Sequence, residues 1–460
     1  MKKTILFLFS IVALLTAHAQ EITGEWNGVL SVQGMKLRVV FHLTKTDTGY
    51  SATMDSPDQG AKGIAMTAAS FENKVLKLEH SAARITYTGT FDGKTEIKGE
   101  FQQAGMKFPM NLSRTQIAII KPKRPQTPAL PYPYNSVDVT FKNSSANITL
   151  AGTFTYPKGE SKFPVAILIS GSGPQNRDEE LMGHKPFLVI ADYLTRQGFA
   201  VLRYDDRGCY ASTGTFETAL SQDFASDASA AVDFIKTRPE VDINRIGLIG
   251  HSEGGLVAPL VATQRKDLNY IVLMAGPGIS GDRILMLQSE LIARANSMSE
   301  KDIEKVKTTN QLIYNEIIAN HELEDSKKHL RQLMLTALTG TDELKNGGEA
   351  MIDGKLKQLT SPWMLNFIRY NPAPTLEKVK CRVLALNGSL DLQVPADINL
   401  KAIETALLKG GNKHFTTRKF EGLNHLFQTC KTGSPNEYAN IEETISPQVL
   451  AELSSWILAK

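Results

Sequence analysis

Three cysteines in a chain of 460 residues are too few for a disulfide-stapled scaffold, and Cys209, Cys381 and Cys430 match no metal-binding spacing. An odd number cannot all pair within one chain. Buried thiols are the expected state, with one bridge involving Cys430 as the alternative an oxidising compartment would allow. Long runs of one charge are also missing: 51 Lys and Arg stand against 48 Asp and Glu, which argues against nucleic acid or anionic lipid as partner. No internal repeat, low-complexity segment or apolar stretch of the roughly 20 residues needed to span a bilayer occurs, so no membrane anchor is expected. What remains, 42% hydrophobic and 22% charged, is ordinary globular composition with room for two or three domains.

The first twenty residues, MKKTILFLFSIVALLTAHAQ, place Lys2 and Lys3 before an apolar run from Ile5 to Leu15 and then Ala17-His18-Ala19. These are the three regions of a secretory signal peptide, so residues 1–19 are expected to be cleaved and the protein exported, periplasmic or secreted. Cleavage would remove two of the 51 basic residues and leave 49 against 48 acidic. Residue 20 is Gln, so nothing suggests a lipid anchor.

Residues 20–114 read as short strands such as KLRVVFHL, VLKLEH and RITYTGTF separated by Gly, Asp, Asn and Thr turns, an antiparallel barrel or sandwich with Trp26 in its core. Residues 115–135 contain Pro122, Pro125, Pro128, Pro131 and Pro133 and predict an extended spacer. From residue 136 to 460 strands alternate with helices: VAILIS, FAVLRY, RIGLIG, YIVLMAG, CRVLALNG and FTTRKFEG are continuous apolar or near-apolar runs, as strands covered on both faces require. The predicted architecture is therefore α/β, a mostly parallel sheet with helices on both faces, preceded by a small all-β domain. Between about 278 and 371 the strands stop and polar helices intervene; an insertion directly after a strand is placed to cover a ligand site as a lid.

RIGLIGHSEGGLVAPL ends a buried strand and begins a helix, with Ser252 at the corner. Gly250 and Gly254 bracket it at Gly-x-Ser-x-Gly spacing. A nucleophilic serine needs a base and a carboxylate that orients that base. Asp391 follows the strand CRVLALNG, and His425 follows FTTRKFEG. The order Ser252, Asp391, His425 is that of α/β-hydrolases. An N-cap serine is the bland alternative for Ser252; Asp205, Asp206 and Glu421 compete with Asp391, and His414 and His251 with His425. Charge on a carbonyl oxygen needs pre-aimed donors. The N–H of Glu253 is the first candidate, and Ser172 followed by Gly173, in the loop after VAILIS, the second. That loop has no P-loop lysine and Pro174 removes a donor, which disfavours phosphate. Trp363, Met364, Phe367 and Tyr370, near the end of the insertion, either line a substrate pocket or pack on the body. His184 is a candidate for the entrance, and Asp206 with Arg207 for bracing a loop beneath the site.

GSGPQNRD, YDDRGCYASTG, GHSEGG, SPWMLNFIRYNP, LNGSLDLQVP and GLNHLF together resemble the α/β-hydrolase superfamily, in particular exported bacterial carboxylesterases similar to the serine aminopeptidase-like (S33-type) and dienelactone-hydrolase-like branch. The resemblance covers about 136–460 and implies Ser252, Asp391 and His425 as a triad, the helical insertion as a cap, and no metal or organic cofactor. Dienelactone hydrolases use a cysteine nucleophile, absent here, and Cys209 departs from the small residue more usual at its place. The implied activity is hydrolysis of a small-molecule carboxylic ester. Two alternatives stand beside it: an exported aminopeptidase, with Glu253, Glu179 or Glu180 receiving the substrate's amine, and a glycan-, lipid- or partner-binding role for the β-rich domain. Nothing in the sequence specifies an oligomeric state.

Overall fold

The computed structural model describes residues 22–32, 35–103, 106–118, 122–338 and 348–459; the expected signal segment lies outside them. The chain divides into two compact units, the first essentially residues up to Ile120 and the second from Lys121 to Lys460.

Among the described residues, the first unit is a single sheet of ten strands. Its side chains alternate in burial, as along Ile85–Phe91, because successive residues of a strand face opposite sides. The strands at the two ends of the pairing path, Ala61–Ala65 and Ala68–Glu72, are separated in sequence only by Met66 and Thr67. The sheet therefore curls round until its ends approach, the barrel rather than the sandwich. Trp26, Phe41, Leu76, Leu78, Tyr87 and Ile97 fill its interior. Trp26 is fully buried, donates its indole N–H to the Ile22 carbonyl at 2.7 Å and carries the Arg114 guanidinium over its ring at 3.9 Å.

The second unit is built on an eight-stranded sheet in the spatial order Asn135–Asn143, Ile148–Tyr156, Ala200–Tyr204, Phe163–Ile169, Val241–His251, Tyr270–Met274, Arg382–Gly388 and Phe415–Phe420. The first two strands run antiparallel to their neighbours; the other six are mutually parallel. The absence of polar alternation in these strands has a direct cause. Val165, Ile167 and Ile169 enter a core shared with Val232, Val257 and Ile403, while Ala166 and Leu168 enter a second core with Phe187, Leu194 and Leu453. Helices Ser221–Lys236, Gly254–Gln264 and Ala396–Lys409 cover one face, and Pro186–Arg196 and Pro447–Leu458 the other. Each fully buried branched side chain contributes about 1.5–3 kcal/mol, so alternate residues of one strand hold opposite helical layers.

The proline-rich segment departs from a free spacer. From residue 121 it belongs to the second unit. Arg124 donates to the carbonyls of Met182, Ala439 and Ile441, Gln126 bonds Thr444 and Ile445, and the Tyr134 hydroxyl reaches Asp192 at 2.9 Å. Proline excludes a helix here, but the intervening polar side chains dock the strap on the body.

After the strand Tyr270–Met274 come helices Gly281–Ala295, Glu300–Ala319, Leu323–Leu338, Gly348–Leu359 and Pro362–Arg369. Glu300–Ala319 starts as its sequence requires: Ser299 Oγ accepts from the Asp302 N–H and donates to its carboxylate at 2.6 Å, satisfying an orphan donor of the first turn. Ile313, Ile317, Leu330, Met334, Ile352 and Ile368 form a separate core within these helices.

Candidate active site

Ser252 lies between the strand Val241–His251 and the helix Gly254–Gln264 with φ +52°, a left-handed backbone that costs a non-glycine residue about 1–2 kcal/mol. The surroundings impose it. A Cβ on Gly250 would stand 2.0 Å from the Gly254 carbonyl oxygen, and one on Gly254 would stand 2.2 Å from that of Ile169. Strand and helix meet backbone to backbone, and the Ser252 N–H is fixed to the Met274 carbonyl at 2.8 Å. The two glycines of the motif are thus required by contact.

His425 and Asp391 meet in the loops after the last two strands. His425 Nδ1 lies 2.8 Å from Asp391 Oδ2, and both residues are buried. Asp391 Oδ1 accepts from the N–H groups of Gln393 and Val394, each at 2.8 Å, and Asn387 Nδ2 approaches Oδ2 at 3.2 Å. The carboxylate is therefore held from both oxygens. The competitors are occupied elsewhere: Asp205 binds Arg177, Asp206 accepts from Ser170 and the Gln175 N–H, and exposed Glu421 faces Lys419. His425 is joined to the serine turn through His251, whose ring packs 4.9 Å from the His425 ring and whose Nε2 is 3.0 Å from the His425 carbonyl oxygen.

The loop after Phe163–Ile169 packs on the same turn; a Cβ on Gly171 would stand 3.2 Å from Ser252 Cβ. Gly171 donates its N–H to Glu179 Oε1 at 2.7 Å. Among the described residues, the N–H groups of Glu253 and Ser172 donate to no protein acceptor. Ser172 is exposed and Gly173, at φ +95°, half-buried. The Glu253 side chain is buried; its Oε1 accepts from Ser221 Oγ at 2.6 Å and from Trp363 Nε1 at 2.7 Å. Burial raises its carboxyl above the usual range, opposed by those two bonds. Burial likewise pushes Asp206 up to about 7. Arg207 is clamped by Asp227 and the Asp223 carbonyl, so it braces the loop as its position suggested.

The aromatic segment is divided by the structure. Trp363 stacks on Phe367 with centroids 5.1 Å apart, and Phe367 packs with Leu256, Ile279 and Val394. Met364 instead enters the inner core of the helical insertion, and the Tyr370 hydroxyl bonds Thr375. His184 is not at an entrance. It is fully buried, within bonding distance of Thr444, the Tyr438 carbonyl and Gln428, and burial pulls its pKa down to about 4. All three cysteines are free thiols, pushed up to about 11 by burial. His251, a rival of His425 in the sequence, and Glu179, a candidate there for binding an amine, are instead bonded to each other at 2.9 Å.

Comparisons with known proteins agree with a hydrolase. Esterase EstD of Thermotoga maritima is 32% identical over 163 residues, 34% of this chain and 39% of its own length, so the chain spans well under half of that relative. Among solved structures, Pyrococcus furiosus esterase Pf2001 is similar at 17% identity with a TM-score of 0.43, covering 74% of this chain and 100% of the other. Hypothetical protein PA2218 from Pseudomonas aeruginosa is similar at 18% identity and 0.44, covering 75% and 100%. The model of the X-Pro dipeptidyl-peptidase (S15 family) matches residues 117–400, more than half of the chain, taking in Ser252 and Asp391 and ending before His425. The chain belongs to the S15 family.

Proposed function

We propose that the protein is a serine hydrolase of carboxylic esters, with an α/β-hydrolase core capped by the helical insertion of about 278–371. His425 takes the proton of Ser252 as its oxygen attacks the ester carbonyl. The oxyanion rests on the N–H groups of Glu253 and Ser172, the alcohol leaves with that proton, and water then releases the acid with His425 again as base. Asp391 holds the imidazole in the tautomer that presents Nε2 to the serine and stabilises its protonated form. Neither metal nor organic cofactor enters these steps. Each oxyanion donor supplies on the order of 3 kcal/mol of barrier lowering.

The observation that carries this reading is the buried Asp391–His425 contact of 2.8 Å beside a serine held at φ +52° on a strand-to-helix corner. Trp363 and Phe367, stacked beside Glu253, are the proposed wall of the acyl or alcohol pocket.

Peptide hydrolysis is the second reading, and S15 membership favours it. Against an amine-binding acidic patch stand the bonds already made: Glu253 binds Ser221 and Trp363, Glu179 binds His251 and the Gly171 N–H, and Glu180 faces Lys185 at 3.5 Å. For that reason short esters are the preferred substrates in this proposal. The deciding assay sets the purified protein and its Ser252→Ala variant on p-nitrophenyl esters of increasing acyl length and on aminoacyl- and X-Pro-p-nitroanilides. Serine-dependent ester turnover with inert anilides is expected, the variant losing about 10⁴-fold or more. Anilide turnover at comparable rates would move the protein to the peptidases, and full activity of Ser252→Ala would sink the serine mechanism. Export through residues 1–19 is part of the same proposal, checked by amino-terminal sequencing of the protein recovered outside the cytoplasm.

A further inference from the structure

His251 immediately precedes the candidate nucleophile, yet it is buried beside a small cavity whose wall, apart from His251 and Glu179, is apolar and includes Phe187, Ile190, Met274, Phe427 and Ile445. Both ring nitrogens end on oxygen acceptors. Nδ1 is 2.9 Å from Glu179 Oε1, and Nε2 is 3.0 Å from the His425 carbonyl oxygen. A neutral imidazole has one N–H and one lone pair, so in either tautomer it would set a lone pair against one of these oxygens. A carbonyl oxygen carries no proton to offer. Glu179 Oε1, which accepts the Gly171 N–H at 2.7 Å, could donate to Nδ1 only as a carboxylic acid, and imidazole is a stronger base than a carboxylate, so the shared proton belongs on the ring. An imidazolium beside a carboxylate satisfies both contacts.

From this geometry we propose that His251 is a buried imidazolium, paired with Glu179, and that it acts as a positioning residue: it straps the His425 backbone and the Gly171 loop to the Ser252 turn. The inference rests on the serine-hydrolase reading above. Three parts of that site come from distant stretches of chain, near residues 171, 252 and 425, and the strap connects all three by the bonds just described. The charged groups facing the ring are accounted for. Glu179 approaches from the loop before the helix Pro186–Arg196, and the Asp391 carboxylate and the His425 ring from the loops after the last two parallel strands, with Phe427 edge-on at 6.5 Å. Burial is the largest influence and opposes the charge, but Glu179, the His425 carbonyl and the Asp391 carboxylate together outweigh it and raise the His251 pKa. Glu179 itself is held at φ +50°, a conformation that persists only where the surroundings over-determine it.

The protonation state is read directly from ring-nitrogen NMR of protein labelled with 15N-histidine, the His251 signals being assigned by their loss in His251→Gln. At pH 7 both nitrogens of His251 are expected to carry protons, and in Glu179→Gln one of them is expected to be lost. A single ring proton in the unaltered protein would overturn the proposal whatever the enzyme does. For positioning, His251→Gln is expected to lower kcat on a short p-nitrophenyl ester about 10-fold and His251→Phe about 100-fold, with KM within about twofold, as misplacement of reacting groups by about an ångström predicts. Unchanged kcat in folded His251→Gln would refute the strap while leaving Ser252 as nucleophile. Full activity of Ser252→Ala would instead remove the reading on which the strap depends, and the NMR result would stand apart from both.

Discussion

The two units bury different things. Among the described residues of the first, the buried polar and charged ones are Asn27, Asp55 and Ser56, and the interior is otherwise mostly aromatic and aliphatic. In the second, Arg203, Asp205, Asp206, Arg207, Asp227, Glu179, His251, Glu253, Asp391 and His425 are all buried. Burying a polar or charged group costs free energy unless it is paired, and here the pairing is dense: Arg207 with Asp227, Arg177 with Asp205, His251 with Glu179, His425 with Asp391. The difference teaches that the second unit spends part of the stability of its two apolar cores on holding charges where chemistry can use them. The first unit carries far less of that cost, with Asp55, 2.9 Å from His42, its buried charge among the described residues.

That contrast can be tested by substitutions that should act on one quantity and spare the other. The largest expected effect is on rate: Asp391→Asn is isosteric, so unfolding should change little, while kcat on a short ester should fall about 10⁴-fold through loss of the histidine's orientation and tautomer. Circular dichroism and ester kinetics on the same sample check both halves. Next comes Trp26→Ala, which empties the centre of the first core and should cost about 3–5 kcal/mol. Calorimetry of the full chain is expected to show a lowered transition for the first unit, with the second unit's transition in place; a variant with unaltered unfolding would contradict the packing described.

A third effect concerns pH. Burial holds the Asp206 carboxyl up to about 7 in the folded protein, against an ordinary value of 3.8. Between those values the folded state binds the proton that the unfolded chain has released. Stability from this group is therefore full below about pH 4 and is lost as pH rises through about 7. Asp206→Asn removes the titration, so the stability of the unaltered protein relative to the variant should decline from pH 4 to pH 8. His184, pulled down to about 4, works in the opposite sense, its contribution present above 6.5 and lost as pH falls through about 4; being common to both proteins, it cancels in the difference. A flat difference curve would mean that Asp206 is ionised in the fold across this range.

Much of this arrangement was legible in the sequence because its cause is local. Strands covered on both faces read as apolar runs, and a serine between two glycines at a strand-to-helix junction reads as a corner. Asp391 and His425 could be picked out because each follows such a run. What escaped was set by contacts across long separations. Arg124 and Gln126 lie in the proline-rich segment, and all their partners but Lys123 and Met182 lie more than 300 positions away. His251 adjoins the serine in the sequence, but nothing local identifies Glu179, 72 positions away, as its partner. The division of the aromatic segment could have been anticipated: in a helix, residues four apart share a face, so Trp363 and Phe367 belong together, and Met364 goes round with Ile368 to the insertion's own core.

Glu253 has one further consequence. Its backbone N–H stands at the serine turn, while its carboxylate grips the indole of Trp363 on a helix 110 positions later in the chain. Anyone grafting a different helical insertion onto this scaffold to change its selectivity inherits that grip. A replacement lacking an indole donor leaves a buried carboxylate short of a partner, and the residue it disturbs first is the one next to the serine. The insertion is therefore not a detachable module: residues 253 and 363 would have to be exchanged as a pair.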